Sequence, residues 1–346
     1  MRIDPKWIDN FVQVFALCGV QAGDACAILS ETQSRPAIVH LSELALARLG
    51  ARWFHVTLPS ARQSAPVPVR STGASDAIGG LAPVVQALAG SVFVADCTVE
   101  GLQHAPELAQ ILKGGARVLA ISNEHPEILE RTQPRLEDEA PVREAMRRLR
   151  AASKMQVTSA AGTDLSIALK GARVGGVWGF SARPGTLSHW PGGLVLAFPA
   201  AGSVRGRLVL DRGDVNLTFK RYLQDPVTLL IEDDHVTRIE GDNVDAELMR
   251  GYFEAWSVEA QGERAAYAVS HVGWGLNPRA RWDAMTFYDK ADFNGTELRA
   301  FAGNFLYSTG ANEVAGRHTL GHFDLPLRHC TVSLDDVPVV VNGVLA

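Results

Sequence analysis

Short apolar runs alternate with stretches of helical periodicity from about residue 25 to residue 153. The runs "ACAIL", "RWFHVTL", "SVFVADC" and "RVLAIS" have strand character, and enough chain separates each from the next to hold a crossover helix, as over 37–49 and 81–88. This alternation predicts a parallel sheet covered by helices. In "EDEAPVREAMRRLRAASK" the acids before Pro141 suit a helix N-terminus, Val142, Ala145, Met146 and Leu149 form an apolar stripe, and the arginines are left facing water. Beyond it the period shortens: "KMQVTSAAGTDLSIALKG", "GRLVLDRGDVNL" and "VTLLIEDDHVTRIEGD" are alternating segments broken by Gly and Asp. The pattern therefore predicts an α/β, Rossmann-like domain over residues 1–153 and a mainly β domain over 154–346, interrupted by one helix in "VDAELMRGYFEAW".

Composition narrows the function classes. The 346 residues are 47% hydrophobic and 21% charged, the balance of a folded protein with room for two cores. A formal net charge of −5 with dispersed Lys and Arg lacks the basic face that nucleic acid requires. The four cysteines form no C-x-x-C pair, which argues against a disulfide framework or a zinc knuckle and favours a reducing cytoplasm. "MRIDPKWIDNFVQVF" is amphipathic and carries Asp4 and Asp9, so neither an export signal nor a membrane span is expected there. "ARQSAPVPVRSTGAS" has the prolines and small polar residues of a surface loop that could cover a site.

The candidate chemistry lies mainly in the second half. In "GHFDLPLRHC" an extended backbone puts His322 and Asp324 on one face, and "AVSHVGWGLNPRA" offers His271 at the end of an apolar strand as a third ligand. Two imidazoles and a carboxylate suit Fe(II) and oxygen chemistry, zinc takes the same ligands, and the bland alternative is a hydrogen-bonded structural pair. His189, in the loop-like "GTLSHWPGG", has a side chain suited to exchanging protons near neutral pH. Arg299 in "ELRAFAGNF" calls for an anion, either a protein carboxylate or a substrate oxygen. His40, His55, His235 and His329 look structural. No GxSxG, Walker or GxGxxG motif supports a serine nucleophile or a nucleotide.

Together "YAVSHVGWGLNPRARW", "LRAFAGNFLYSTG", "GHFDLPLRHC", "SHWPGGLVLAFP" and "HAPELAQILKGGARVL" resemble the 2,5-dihydroxypyridine 5,6-dioxygenases. The same framework is similar to bacterial two-metal aminopeptidases, but Leu194 stands in "PGGLV" where those peptidases carry a glutamate. His271 replaces another, and only the His-x-Asp of His322 and Asp324 is kept. The resemblance implies a single Fe(II) on His271, His322 and Asp324, with His189 and His104 handling protons and Arg299 orienting a substrate oxygen. It implies extradiol-like opening of a hydroxylated N-heteroaromatic ring by O₂, most simply 2,5-dihydroxypyridine to N-formylmaleamic acid, in a homo-oligomer. Val177 in "VWGF" departs from the acid expected there, which opens the substrate to related hydroxylated or amino-substituted aromatics. A zinc aminopeptidase or amidase, and a binding protein whose metal site has lapsed, are the competing classes.

Overall fold

Helix formation begins at Asp4, whose side chain accepts from Lys6 N and caps Pro5–Leu17, with proline at the helix start. That helix buries Trp7, Phe11, Val14 and Phe15 against the sheet that follows. In this computed structural model, which describes residues 2–62, 64, 65, 76–121 and 123–346, the parallel sheet has the strand order Arg52–Leu58, Ala25–Glu31, Phe93–Asp96, Arg117–Ala120, Leu187–His189. The first four are the strands expected from the apolar runs, and Pro36–Arg48 and Ala82–Ala89 are the expected crossover helices. The inner strands Ala25–Glu31 and Phe93–Asp96 are buried almost throughout, as strands covered on both faces must be.

The fifth strand was not foreseen. Leu187–His189 lies beyond residue 153, yet it pairs in parallel with Arg117–Ala120 through Leu119–Ser188 and Ala120–His189. Its three residues are too few to show a period, and the glycine and prolines around them give the stretch the texture of a loop. His189 is therefore the last residue of a sheet strand rather than part of a connecting loop.

From Lys154 the chain is dominated by antiparallel pairing. One sheet has eight strands, and a second runs Phe323–Leu327, Phe305–Thr309, Val269–Gly275, Leu194–Phe198, Arg173–Val177. Their apolar faces share one core with Glu139–Ala151 and Val244–Glu259, the latter contributing Met249, Tyr252, Phe253 and Trp256. The result is a mixed α/β fold with one parallel sheet and several antiparallel ones among the described residues. Most of "ARQSAPVPVRSTGAS" lies outside the described residues. All four cysteines are buried and unpaired. Among the described residues no helix is long and apolar enough to cross a membrane.

Two residues from His271, Gly273 allows the strand Val269–Gly275 to sit close against Leu194–Phe198: a Cβ there would stand 1.9 Å from Val195 O. Gly273→Ala should destabilise the fold by about 1–3 kcal/mol, measured by denaturant unfolding. An unchanged midpoint would contradict this account of the sheet.

Candidate metal centre

Three adjacent strands place His271, Ser308 and Asp324 side by side, with His271 opposite Ser308 and Ser308 opposite Asp324. The ladder shifts register between Val269 and His271, and an irregularity of that kind re-aims a side chain. His322 immediately precedes its strand, and its backbone is pinned by Tyr252, whose hydroxyl donates to His322 O and accepts from His322 N, both at 2.9 Å.

His271 Nε2 lies 3.7 Å and His322 Nε2 3.2 Å from Asp324 Oδ1. Cis ligand atoms around a metal with bonds near 2.1 Å stand about 3.0–3.4 Å apart, so the three groups lie close to coordination geometry. Oδ1 also accepts from Ser308 Oγ, while Oδ2 accepts from Arg299 Nε at 2.5 Å. Arg299 Nη1 donates to Asn294 Oδ1 at 2.9 Å. The anion called for by Arg299 is thus in the first place a protein carboxylate.

Burial alone would raise the pKa of Asp324, but Arg299, His322 and His271 hold it well below the usual carboxylate range. Burial drives the imidazoles the other way, His271 to about 3 and His189 to about 4. Burial and the neighbouring His322 and His271 also push His104 well below its ordinary value. An ionised carboxylate facing neutral imidazoles with free lone pairs is a donor set suited to a divalent cation.

The remaining candidates converge on the same place. Asp96, fully buried, accepts from Thr98 N at 3.1 Å, Thr98 Oγ1 at 2.6 Å and Leu102 N at 2.8 Å, while Glu31 accepts from Val99 N at 2.9 Å. The loop so held brings His104 to 4.7 Å from His322 and 6.1 Å from His271, ring centre to ring centre. Ligand atoms of His104, His271 and His322 lie within 4.8 Å of one another, which makes His104 a second candidate for a third ligand. His189 Nδ1 is 3.0 Å from Pro191 O. That contact fixes the Nδ1–H tautomer and leaves the Nε2 lone pair free.

A cavity of about 60 Å³ joins His104, His189, His271, Arg299, His322 and Asp324. Leu194, Leu196 and Leu306 form apolar wall, and Glu100 is an acid on the lining that sequence reasoning missed. Ser308, Asn294 and Glu100 carry no motif, and only the tertiary fold brings them to the site. Val177 lies elsewhere, in a second cavity of about 320 Å³ that shares Gln103, His104 and Leu196 with the first. His55 and His235 make local contacts, to Ser30 Oγ at 2.7 Å and to Asp233 O at 2.7 Å.

The sequence profile of the NicX family, 2,5-dihydroxypyridine 5,6-dioxygenase, matches residues 6–346. The chain belongs to this dioxygenase family. A 2,5-dihydroxypyridine 5,6-dioxygenase from Pseudomonas putida KT2440 is 37% identical over 337 residues, 96% of this chain and 94% of the relative. The solved structure of the 2,5-dihydroxypyridine dioxygenase from that organism superposes with a TM-score of 0.92 at 35% identity, covering 100% of this chain and 98% of the other. AmpT from Thermus thermophilus shares the fold, at a TM-score of 0.60 and 13% identity over 98% of this chain and 99% of AmpT. The dioxygenase thus shares its framework with AmpT at the level of fold.

The lowered His189 pKa has a consequence for stability. An imidazole at about 4 in the folded dioxygenase and 6.5 when unfolded lets the unfolded chain bind more protons between those values. Stability should therefore fall as pH drops from 6.5 to 4. His189→Phe should flatten that part of the profile in pH-dependent denaturant unfolding, and an unaltered slope would contradict the burial argument.

Proposed function

We propose that this dioxygenase holds one Fe(II) on His271, His322 and Asp324 and opens 2,5-dihydroxypyridine to N-formylmaleamic acid. The observation that carries the proposal is the convergence of both imidazoles on one oxygen of Asp324, with Leu194 as apolar wall beside them. Among the described residues Asp324 is the carboxylate in contact with both imidazoles, which suits a single cation, and three protein ligands leave positions open for substrate and O₂. Bound there, Fe(II) would supply the activation of O₂ and make a coordinated ring hydroxyl more acidic.

The protein's own groups manage the rest. His189, its Nδ1–H committed to Pro191 O, offers Nε2 as base for a ring hydroxyl proton. His104, also on the cavity lining and kept neutral by burial, returns a proton as the ring opens. Arg299 steadies Asp324 and keeps positive charge on the cavity wall opposite a substrate oxygen. The leucines restrict water. The reaction balances without water: the bond between the hydroxyl-bearing carbon and its neighbour breaks, one atom of O₂ completes the carboxyl group, and the other becomes the formyl oxygen. Val177 lies in the adjoining cavity and packs against the cluster of Leu194, Leu196 and Leu306 that walls the metal cavity, so an apolar side chain stands there in place of an acid.

Protein reconstituted anaerobically with Fe(II) should consume one O₂ per 2,5-dihydroxypyridine in oxygen-electrode assays. His322→Ala should lose the metal, and His189→Ala should keep it while kcat falls by about 10²–10⁴. Amide hydrolysis without O₂, or no uptake across a panel of dihydroxypyridines and aminophenols, would count against the proposal.

A further inference from the structure

Lys220 is a buried lysine, 8% exposed, in the turn between the paired segments Val215–Asn216 and Arg221–Tyr222. Its backbone φ is +52°, a left-handed conformation that costs a residue with a Cβ. A buried ammonium is expensive, and an apolar side chain of similar length would fill the space at less cost. Burial lowers its pKa to about 8. Packing alone gives no reason for either feature.

The reason lies in what the ammonium holds. Lys220 Nζ donates to Asn294 O at 2.7 Å. Asn294, 5% exposed, lines the metal cavity, and its Oδ1 accepts from Arg299 Nη1 at 2.9 Å. Arg299 Nε in turn donates to Asp324 Oδ2. Asn294 is gripped from its other side by the buried Glu124, which accepts from Asn294 N at 3.1 Å, Gly295 N at 2.9 Å and Thr296 N at 2.7 Å. A cation on the carbonyl and an anion on the amide fix one peptide segment in both directions. That segment leads into Thr296–Ala300, which carries Arg299.

We propose that Lys220 is a positioning residue for the metal-binding carboxylate, acting through Asn294 and Arg299 to hold Asp324 with Oδ1 turned toward His271 and His322. This rests on the one-metal reading above. Lys220 touches neither substrate nor metal. Its effect travels along three hydrogen bonds, the kind of outer support whose loss typically costs 10–100-fold in metal affinity.

The test uses Co(II) as probe, with affinity from competition against a chromogenic chelator and geometry from the visible absorption of the bound ion. In Lys220→Met the Co(II) Kd should rise at least about tenfold, the absorption bands should shift, and the far-ultraviolet circular dichroism should be retained. Lys220→Arg, which keeps a donor cation, should recover most of the affinity. Asn294→Ala should weaken binding to a similar extent, and the double variant Lys220→Met, Asn294→Ala should be no worse than the weaker single variant. A Lys220→Met protein that binds Co(II) within twofold of the parent, with an unshifted spectrum, would overturn the proposal. If that variant does not fold, Asn294→Ala decides alone: unchanged affinity overturns the relay. A parent protein that takes up no stoichiometric Co(II) or Fe(II) would instead defeat the metal reading itself.

Discussion

The site depends on how a single carboxylate is divided. Asp324 gives Oδ2 to Arg299 and turns Oδ1 toward Ser308, His271 and His322. Without Arg299 this buried anion would be driven toward its protonated form by desolvation, and a neutral acid is a poor ligand for a hard cation. With Arg299 it stays ionised in a cavity where burial keeps His271, His104 and His189 neutral. The arginine thus makes the carboxylate available, and because it occupies one oxygen, it also sets which oxygen is available.

Holding Arg299 in turn requires both halves of the chain. Its short helix Thr296–Ala300 is too brief to be stable alone. Glu124, just beyond the fourth parallel strand, caps it with three backbone contacts, and Arg131 forks onto Glu297 of the same helix at 2.8–3.1 Å. His104 and His189 reach the cavity from the C-terminal ends of the parallel strands Phe93–Asp96 and Leu187–His189, the edge where parallel sheets bind ligands. The antiparallel sheet supplies the row of groups proposed to hold the metal, and the parallel sheet supplies the groups proposed to move protons.

The sequence made parts of this legible because they are local. The period-two pattern in "HFD" puts His322 and Asp324 on one face, and the strand ladder confirms that Asp324 shares its face with Ser308 and His271. The four apolar runs of the parallel sheet were recognisable because strands buried on both faces are continuous in hydrophobicity. The fifth strand escaped because three residues between glycines and prolines carry no period. Glu124, Lys220, Asn294 and Ser308 escaped for a different reason. Each is an ordinary polar residue in sequence, and its significance comes from neighbours 70 or more positions away for Lys220 and Glu124. Val177 shows the converse: a departure notable in the sequence lies in the adjoining cavity and touches the site through shared walls only.

The central claim is that one cation is held by two imidazoles and the Oδ1 side of Asp324. The most direct measurement is the crystal structure of Fe(II)-loaded protein prepared without oxygen, with the metal located by anomalous scattering at the iron edge. One iron per chain is expected, bonded to His271, His322 and Asp324, with Arg299 still on Oδ2. Two metals in the cavity, or one metal bonded to His104, His271 and His322 with Asp324 outside its coordination sphere, would contradict it.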